Sequence, residues 1–336
     1  MPEPKPAEIL RAKVLGFVTS RCIHVVAELG VADALGEGPA TAEALAHATG
    51  SDPDSLGRVL RLLAADGIFA EADGGFVHTE LSRLLRSDHP QSLRPHALRV
   101  GTAVCWSVYG VLEHSVRTGE PAFEQVYPGG TWAYHADNPD AGALFNAGMT
   151  AKAHADTAAV LKADYFSGFQ TIADIGGGRG HLVRAVLASV PGASGVLFDQ
   201  PHVIAEAGDT ANTPGLRLQG GDFFADALPR ADAYLLMSVI HDWADAEAKA
   251  ILSAVRKAAP ANARVLLIEA VVPDSPGWHF SKLVDIVMLA ETGGRERTGA
   301  QYEALLASAG LRLERIVPTQ GTASIIEAVP VQVSAR

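Results

Sequence analysis

A short apolar run that stops at a cluster of glycines most constrains how this chain can fold. Residues 172–180 read Ile-Ala-Asp-Ile-Gly-Gly-Gly-Arg-Gly. Glycine has no Cβ and tolerates positive φ, so a strand can turn tightly into a helix here while the N–H groups of the turn stay open to a ligand. The segment therefore predicts a strand–turn–helix unit that cradles a nucleotide-like cofactor. A glycine-rich turn without a ligand is the alternative.

The spacing of these glycines separates two classes of cofactor. The nicotinamide fingerprint G-x-G-x-x-G fails, because His181 stands where a run that starts at Gly176 requires its last glycine. The pattern D-x-G-x-G-x-G remains, with Asp174, Gly176, Gly178 and Gly180 in phase. It resembles the first motif of S-adenosylmethionine (SAM) dependent methyltransferases. This resemblance assigns Asp174, Gly176 and Gly178 to cofactor binding.

Length, composition and charge restrict the class of protein further. The chain has 336 residues, 48% of them apolar and 19% charged, which suits a globular protein of two domains with a sizeable core. The formal charge of −11 opposes attraction to nucleic acid or anionic lipid, so we expect a small-molecule partner and neither nucleic acid nor membrane. The chain has two cysteines, and residues 1–10 lack the basic-then-apolar order of a signal peptide. No apolar stretch reaches about 18 residues, the length of a membrane span. These features predict a soluble cytoplasmic protein.

Residues 1–95 are predicted to form a winged-helix dimerisation domain. The pattern over residues 7–86 is helical and is cut by turn signals into short helices. Ile68–Ala70 and Gly75–His78 predict a small hairpin. Winged helices often bind DNA, but residues 1–90 hold eight Lys or Arg against thirteen Asp or Glu, so dimerisation is favoured.

Residues 96–163 are predicted to be a helical bridge that contributes the substrate pocket. Aromatic and sulfur-bearing side chains are scattered through it, and most such residues pack in a core. Phe145 and Met149 lie shortly before the cofactor-binding half, so they are the candidates for substrate binding.

Residues 164–336 are predicted to form a Rossmann-like domain that binds the cofactor and carries catalysis. Strands alternate with helices, which implies a doubly wound, mostly parallel sheet. The link between the last two strands is too short for a parallel crossover, so the last strand is expected to be antiparallel. The predicted fold class is therefore α/β, with a helical or winged-helix N-terminal domain. The predicted strands are Thr171–Asp174, Gly195–Asp199, Leu216–Gln219, Ala233–Ser238, Arg264–Val272, Leu311–Val317 and Ser324–Val329.

Acidic and aromatic residues follow the second and third strands of this sheet. Ligands of such folds bind outside the carboxyl ends of the strands. Asp199 follows Asp174 by 25 residues, the spacing of a carboxylate that accepts both ribose hydroxyls, and a helix cap is the alternative. Asp222 and Phe223 suit adenine, with the carboxylate on the exocyclic amine and the ring against the base. A turn aspartate beside core aromatics is the alternative there.

The fourth strand leads into Leu236–Trp243, where the chemistry is expected. Methyl transfer from a sulfonium needs help only at the acceptor oxygen, and a phenol with a pKa of about 10 is protonated at neutral pH. His241, with an ordinary pKa of about 6.5, suits a general base if a carboxylate orients its ring; a helix cap or a core histidine is the alternative. Glu269 and Glu296 are the candidate carboxylates. A surface pair with a neighbouring arginine is an equally open reading of Glu296.

Together these segments resemble the SAM-dependent small-molecule O-methyltransferase family, which includes plant caffeate and flavonoid enzymes and bacterial polyketide-tailoring enzymes. The resemblance extends from about Leu15 to Pro330. It implies methylation of a phenolic hydroxyl, His241 as general base flanked by two acids, SAM as donor with S-adenosylhomocysteine as product, and an intertwined homodimer. The motifs that carry it are Asp174–Gly178, Phe198–Pro201, Gly221–Phe224, His241–Trp243 and Gly293–Thr298.

The resemblance also bears on three residues around the fourth strand. Ser238 stands where many plant members have a lysine near adenine, so its assignment to the cofactor leaves the adenine contacts open. Trp243 borders the adenine, with plain packing as the alternative. Asp242 is assigned to the substrate.

Other chemistries are compatible with parts of this pattern. A metal would need His241, Asp242 and Asp245 to converge, but adjacent residues at the start of a helix diverge, so no metal is expected. Non-methylating tailoring such as hydroxylation, and N- or C-methylation, use the same fold. A SAM-sensing winged-helix regulator is opposed by the acidic N-terminal domain.

Overall fold

The chain folds into two compact units, seen in a computed structural model that describes residues 5–163 and 165–331. The predicted bridge 96–163 contributes to both units, and the three-part domain division stays a prediction. Its limits at residues 1, 164 and 336 lie outside the described residues. Unit 1 comprises Met1–Ser107 and His135–Lys152, and unit 2 comprises Val108–Tyr134 and Ala153–Arg336.

Helices and strands occupy most of the described chain. The helices are α1 Pro6–Val14, α2 Gly16–Glu28, α3 Val31–Ala34, α4 Ala42–Thr49, α5 Pro53–Ala65, α6 Glu80–Arg83, α7 Arg94–Val100, α8 Ala103–Gly110, α9 Leu112–Thr118, α10 Ala122–Val126, α11 Gly130–Asp137, α12 Pro139–Leu161, α13 His181–Ser189, α14 Pro201–Ala205, α15 Asp245–Ala258, α16 Phe280–Glu291 and α17 Gly299–Ser308. The strands are β1 Phe69–Ala72, β2 Gly75–His78, β3 Thr171–Ile175, β4 Ser194–Asp199, β5 Leu216–Gly220, β6 Ala233–Met237, β7 Arg264–Glu269, β8 Val271–Val272, β9 Arg297–Thr298, β10 Leu311–Pro318 and β11 Ser324–Pro330. Short 3-10 turns span Gly208–Asn212 and Ile240–Asp242.

Unit 1 is helical and contains the predicted hairpin. The side chains of Thr41 and Asp52 accept hydrogen bonds from the first turns of α4 and α5, so each helix begins at a polar cap. β1 and β2 pair antiparallel, as expected of a wing. The buried apolar core of the unit includes Val26, Leu60, Leu63 and Phe69.

Unit 2 is built on a seven-stranded sheet in the order β10-β11-β7-β6-β3-β4-β5. The five strands from β7 to β5 are parallel, and β11 is antiparallel to β7, which confirms the predicted sheet. Alternate residues of β6 bury against opposite layers: Tyr234 and Leu236 pack with α15 and α17, and Leu235 packs with α13. The strand order reverses between β3 and β6, and such a switch point is where ligands bind.

Most predicted strand ends of the sheet lie within one residue of the observed ends, and two of the differences shape the region around the site. The strand expected over Arg264–Val272 breaks after Glu269, because Val271–Val272 leaves the main sheet and pairs with β9. The strand expected to reach Ser238 ends at Met237. Ser238 has φ +54°, and within residues 5–163 and 165–331 no other residue except glycine has a positive φ, so the chain turns there instead of extending. Both breaks fall at the carboxyl edge of the sheet.

Among the residues that the structure describes, no helix is both long and apolar enough to cross a lipid bilayer.

Candidate active site

The glycine turn after β3 is held by two carboxylates. Asp199 Oδ2 accepts a hydrogen bond from the N–H of Gly178 at 2.8 Å, and its Oδ1 accepts one from Gln200 at 2.7 Å. Asp174 Oδ2 accepts one from the N–H of Val183, in the first turn of α13, at 3.3 Å. The predicted residues Asp174, Gly178 and Asp199 are therefore brought together at the carboxyl edge of the sheet.

One side of this turn is closed and the other is open. A Cβ on Gly177 would lie 2.5 Å from Asp174 Cγ, closer than real Cβ atoms approach, so only glycine fits there. Gly178 has φ +59°, and no described heavy atom outside its chain neighbours lies within 4 Å of where its Cβ would stand. Backbone with left-handed geometry beside open space fits the close approach of a nucleotide-like cofactor.

Asp174 supports the turn from inside the protein. Its side chain is fully buried, and within the described residues its Oδ1 has no hydrogen-bond partner. Burial, opposed by the N–H of Val183, raises the pKa of Asp174 to about 7. Asp174 therefore supports the turn from within the core, and its predicted role in cofactor binding stays a prediction. Burial also raises the pKa of Asp199, which is only partly covered.

An aromatic cluster lies at the ends of β5 and β6. Phe223 and Phe224 both meet the Trp243 ring edge-on, with centroids 5.8 and 4.9 Å away. Trp132 lies parallel to Trp243 at 6.3 Å, and both Trp132 and Phe224 are partly exposed. Asp222 is exposed and accepts a hydrogen bond from the N–H of Phe224. The sequence indicated the segment Asp222–Phe224 and Trp243 for the adenine but missed Trp132, which only the fold brings to the cluster.

His241 lies on the 3-10 turn after β6 with both predicted acids beside it. Its Nδ1 is 2.7 Å from Glu296 Oε1 and 3.6 Å from Glu269 Oε2. Glu269 Oε1 also accepts hydrogen bonds from the N–H groups of Val239 and Ile240, at 2.9 and 2.8 Å, so this acid fixes the turn itself. Glu296 is only 3% exposed, which excludes the surface arginine pair as its role. Nδ1 is thus engaged, and Nε2 faces Asp242 Oδ1 at 3.7 Å.

The charges around His241 change its titration. Burial lowers the pKa of the imidazole, but the negative charges of Glu269, Asp242 and Glu296 outweigh burial and raise it to about 9. The three acids therefore favour the protonated ring at neutral pH. The same carboxylates that orient the ring also stabilise the imidazolium that proton removal from an acceptor would produce.

The sequence missed one buried residue of this site, Arg297. It is 1% exposed, and its guanidinium donates hydrogen bonds to the carbonyls of Ile240 and Trp243 and to Asp245. The run Gly293–Thr298 contained this residue but gave no sign that its side chain points inward. Asp245 is thereby paired with a cation, and among the described residues no three His, Cys, Asp or Glu side chains gather as a metal site.

Phe145 and Met149 lie on α12, in unit 1, and both are half-buried. The Phe145 ring centroid is 4.5 Å from that of His135, and the Arg99 guanidinium carbon lies 5.5 Å from it. Phe145 thus already has an aromatic and a cationic neighbour in unit 1, and the substrate role of Phe145 and Met149 stays a prediction.

A mostly parallel sheet whose switch point carries a glycine turn and a strand-end carboxylate is a Rossmann-like fold of the kind that binds nucleotide-like cofactors. The profile of the O-methyltransferase domain matches residues 109–312, and that of the O-methyltransferase dimerisation domain matches residues 13–88. The chain belongs to the O-methyltransferase family. It is a SAM-dependent O-methyltransferase, and SAM is its methyl donor.

Relatives of known activity extend over nearly the whole chain. A phenazine O-methyltransferase of Lysobacter antibioticus is 38% identical over 97% of this chain and 96% of its own length. An 8-amino-8-demethylriboflavin N,N-dimethyltransferase of Streptomyces davaonensis is 36% identical over 97% of this chain and 96% of its own. The crystal structure of CalO1, a methyltransferase in calicheamicin biosynthesis with bound S-adenosylhomocysteine, superposes with a TM-score of 0.88 at 36% identity and covers 98% of this chain and 100% of that one.

Proposed function

We propose that this enzyme methylates a phenolic hydroxyl of a small aromatic secondary metabolite such as a polyketide, with His241 as general base and without a metal. The observation that carries the proposal is the 2.7 Å contact between His241 Nδ1 and Glu296, which leaves Nε2 to take a proton. The phenazine activity of the Lysobacter relative supports a planar aromatic acceptor.

When bound, SAM supplies a methyl group that its sulfonium already activates. The protein has to remove the acceptor proton and place the acceptor oxygen. In the proposed step the phenol O–H bond breaks, its proton passes to His241 Nε2, and Glu269 and Glu296 stabilise the imidazolium. No metal is needed, because the nucleophile is generated by proton removal alone.

The residues proposed to hold SAM surround the open side of the glycine turn. Gly178 offers backbone that a ligand can approach closely, and Asp199 offers a carboxylate for the ribose. Gly176 is kept as a proposed cofactor neighbour, although Val239 lies 3.0 Å from where its Cβ would stand. The aromatic cluster offers a surface for adenine, with Phe223 and Trp243 as its predicted members. We keep Asp222 and Ser238 as proposed adenine neighbours, and Phe145, Met149 and Asp242 as proposed acceptor contacts.

We also propose that the enzyme is a homodimer. Leu10, Val14, Leu15 and Phe17, on α1 and the start of α2, are each more than half exposed, and α1 buries no residue. Such a continuous apolar surface marks a protein interface, and residues 13–88 match the family's dimerisation domain.

N-methylation is a second candidate, favoured by the activity of the riboflavin-amine relative. A neutral amine carries its own lone pair, so it reacts without prior loss of a proton. The two reactions therefore differ in how strongly they depend on His241.

The test combines an acceptor screen with one variant. Purified enzyme is incubated with methyl-labelled SAM and matched panels of phenols and anilines, and products are identified by mass. We expect phenol products whose kcat falls about 10²- to 10⁴-fold in His241→Ala, the usual contribution of a general base. The exposed His47→Ala serves as control, with unchanged turnover.

Three results would contradict the proposal. Undiminished phenol turnover in His241→Ala excludes the base, aniline products alone indicate the N-methyltransferase, and loss of turnover with EDTA excludes a metal-free reaction.

A further inference from the structure

Arg297 is a buried cation that binds the backbone on both sides of His241. Its Nη1 donates to the carbonyl of Ile240 at 3.1 Å, and its Nη2 donates to the carbonyl of Trp243 at 3.0 Å. These carbonyls belong to the residue before His241 and the second residue after it. One planar guanidinium therefore fixes the span of chain that carries the proposed base.

The charge of Arg297 is compensated by one acid. Nε and Nη2 both reach Asp245 Oδ1, at 3.1 and 2.8 Å, and the Asp245 side chain is 62% exposed. A buried guanidinium needs such a partner and a full set of acceptors, since an unpaired buried charge is strongly unfavourable. Asp245 begins α15, so the same contact ties the turn to a helix of the sheet layer.

The segment that carries Arg297 is pressed against the same turn. A Cβ on Gly294 would lie 2.0 Å from the His241 carbonyl oxygen, and the N–H of Arg295 donates to that oxygen at 2.8 Å. Glu296, which holds His241 Nδ1, lies between Arg295 and Arg297. The orienting carboxylate and the guanidinium therefore come from adjacent residues of one segment and hold the same imidazole, one through its ring and one through its backbone.

We propose that Arg297 is a positioning residue that sets the distance between His241 and Glu296 through the Ile240 and Trp243 carbonyls. This inference rests on the proposed role of His241 as base. Arg297 itself touches neither the donor nor the acceptor in this scheme, and lysine, which lacks the planar fork, replaces it only in part.

The experiment compares Arg297→Met and Arg297→Lys with Arg295→Met. Arg295 is the matched control. It is two residues away and also pairs with Asp245, but its side chain is half exposed, and the hydrogen bonds to the Ile240 and Trp243 carbonyls come from Arg297. We expect kcat to fall about 10- to 100-fold in Arg297→Met, as for an ångström-scale misplacement of a catalytic group, and less in Arg297→Lys. Arg295→Met is expected to keep both kcat and the Kd for SAM within about 2-fold of wild type. In Arg297→Met the Kd for SAM is expected to change less than kcat does; some change is expected because Arg297 also holds the carbonyl of Trp243, a proposed adenine neighbour.

The pH profile separates positioning from a merely structural role. Loosening the contacts of His241 with its acids lowers the pKa of the imidazole, whereas removing the guanidinium charge would raise it. The profile is therefore measured in Arg297→Lys, which keeps the charge, and the inflection of kcat/KM is expected to move down from about 9. If Arg297→Lys does not fold, Asp245→Glu is used, because it also keeps its charge, and a smaller shift in the same direction is expected.

The outcomes distinguish this inference from the proposed function. The inference alone is overturned by wild-type kcat in a folded Arg297→Met together with an unshifted pH profile in Arg297→Lys, or in Asp245→Glu if Arg297→Lys does not fold, provided that His241→Ala is inactive. Full activity of His241→Ala overturns the proposed function first.

Discussion

At the residue scale, one imidazole is surrounded by three acids. Glu296 contacts its Nδ1, Glu269 lies behind the same nitrogen, and Asp242 faces Nε2. Glu269 differs from Glu296 in that its other oxygen accepts two backbone N–H groups of the turn. Glu296 thus acts mainly on the ring of His241, whereas Glu269 acts on both the ring and the backbone of the turn. The two acids therefore have different roles.

The raised pKa of His241 predicts an alkaline rate profile. The base must be neutral to accept a proton, so below pH 9 the reactive fraction of free enzyme grows about tenfold per pH unit. We expect kcat/KM to rise from pH 6.5 and to level near pH 9. In Glu296→Gln one stabilising charge is lost, so the inflection is expected at lower pH and the plateau is expected to be reduced.

Initial rates between pH 6.5 and 10 measure this profile. Two phenols of different acidity are compared, because an inflection due to the enzyme stays fixed while one due to the acceptor moves. A wild-type inflection near 6.5, or the same inflection in Glu296→Gln, contradicts the assigned environment of the ring.

At the element scale, the segment before β9 must approach the turn after β6 without any side chain between them. Gly294→Ala places a Cβ on the His241 carbonyl, so the two backbones have to separate. We expect kcat/KM to fall about 10²-fold through displacement of Glu296 and His241. Steady-state kinetics and circular dichroism of the folded variant measure this.

Gly277→Ala is the matched control for this substitution. Within the described chain no heavy atom other than its sequence neighbours lies within 4 Å of the Cβ position of Gly277, so wild-type kinetics are expected. Equal activity of Gly294→Ala and Gly277→Ala would show that the close approach is unimportant.

Local sequence patterns predicted the strands and helices better than they predicted where the chain turns between them. The strands of the main sheet are marked by apolar runs, and β3 differs from its prediction only by including Ile175. The break after Glu269 was missed, because it depends on pairing with β9, which is distant in sequence. The left-handed Ser238 was also missed; its N–H donates to the Ile268 carbonyl, thirty residues away.

The residues of the candidate site also fall into those that the sequence predicts and those that it does not. The types and positions of His241, Glu269 and Glu296 follow from strand ends and family resemblance. The inward side chain of Arg297 does not, since a run with Arg on both sides of a Glu is equally typical of a solvated surface. Its burial is decided by carbonyls more than fifty residues earlier in the chain.

At the scale of the whole molecule, the exposed apolar surface of α1 and α2 predicts the oligomeric state. Val14→Glu combined with Leu15→Glu places two charges in a surface that a second copy is expected to cover, so the dimer should dissociate. Light scattering after size exclusion is expected to give the mass of a monomer, against a dimer for wild type.

Val116→Glu is the control for surface charge. Val116 is also well exposed, on α9 of unit 2 and outside the matched dimerisation domain. Its variant is expected to remain dimeric. A wild-type monomer, or a double variant with the mass of a dimer, contradicts the assigned interface.

The histidine, its acids and the glycine turn all belong to unit 2, whereas Phe145 and Met149 belong to unit 1. Under the proposed roles, two of the three acceptor contacts, Phe145 and Met149, belong to a different unit from the residues of proton removal, and Asp242 belongs to the same unit as those residues. Substitutions at Phe145 and Met149 can then change the preferred acceptor during evolution while the histidine, its acids and the glycine turn stay unchanged.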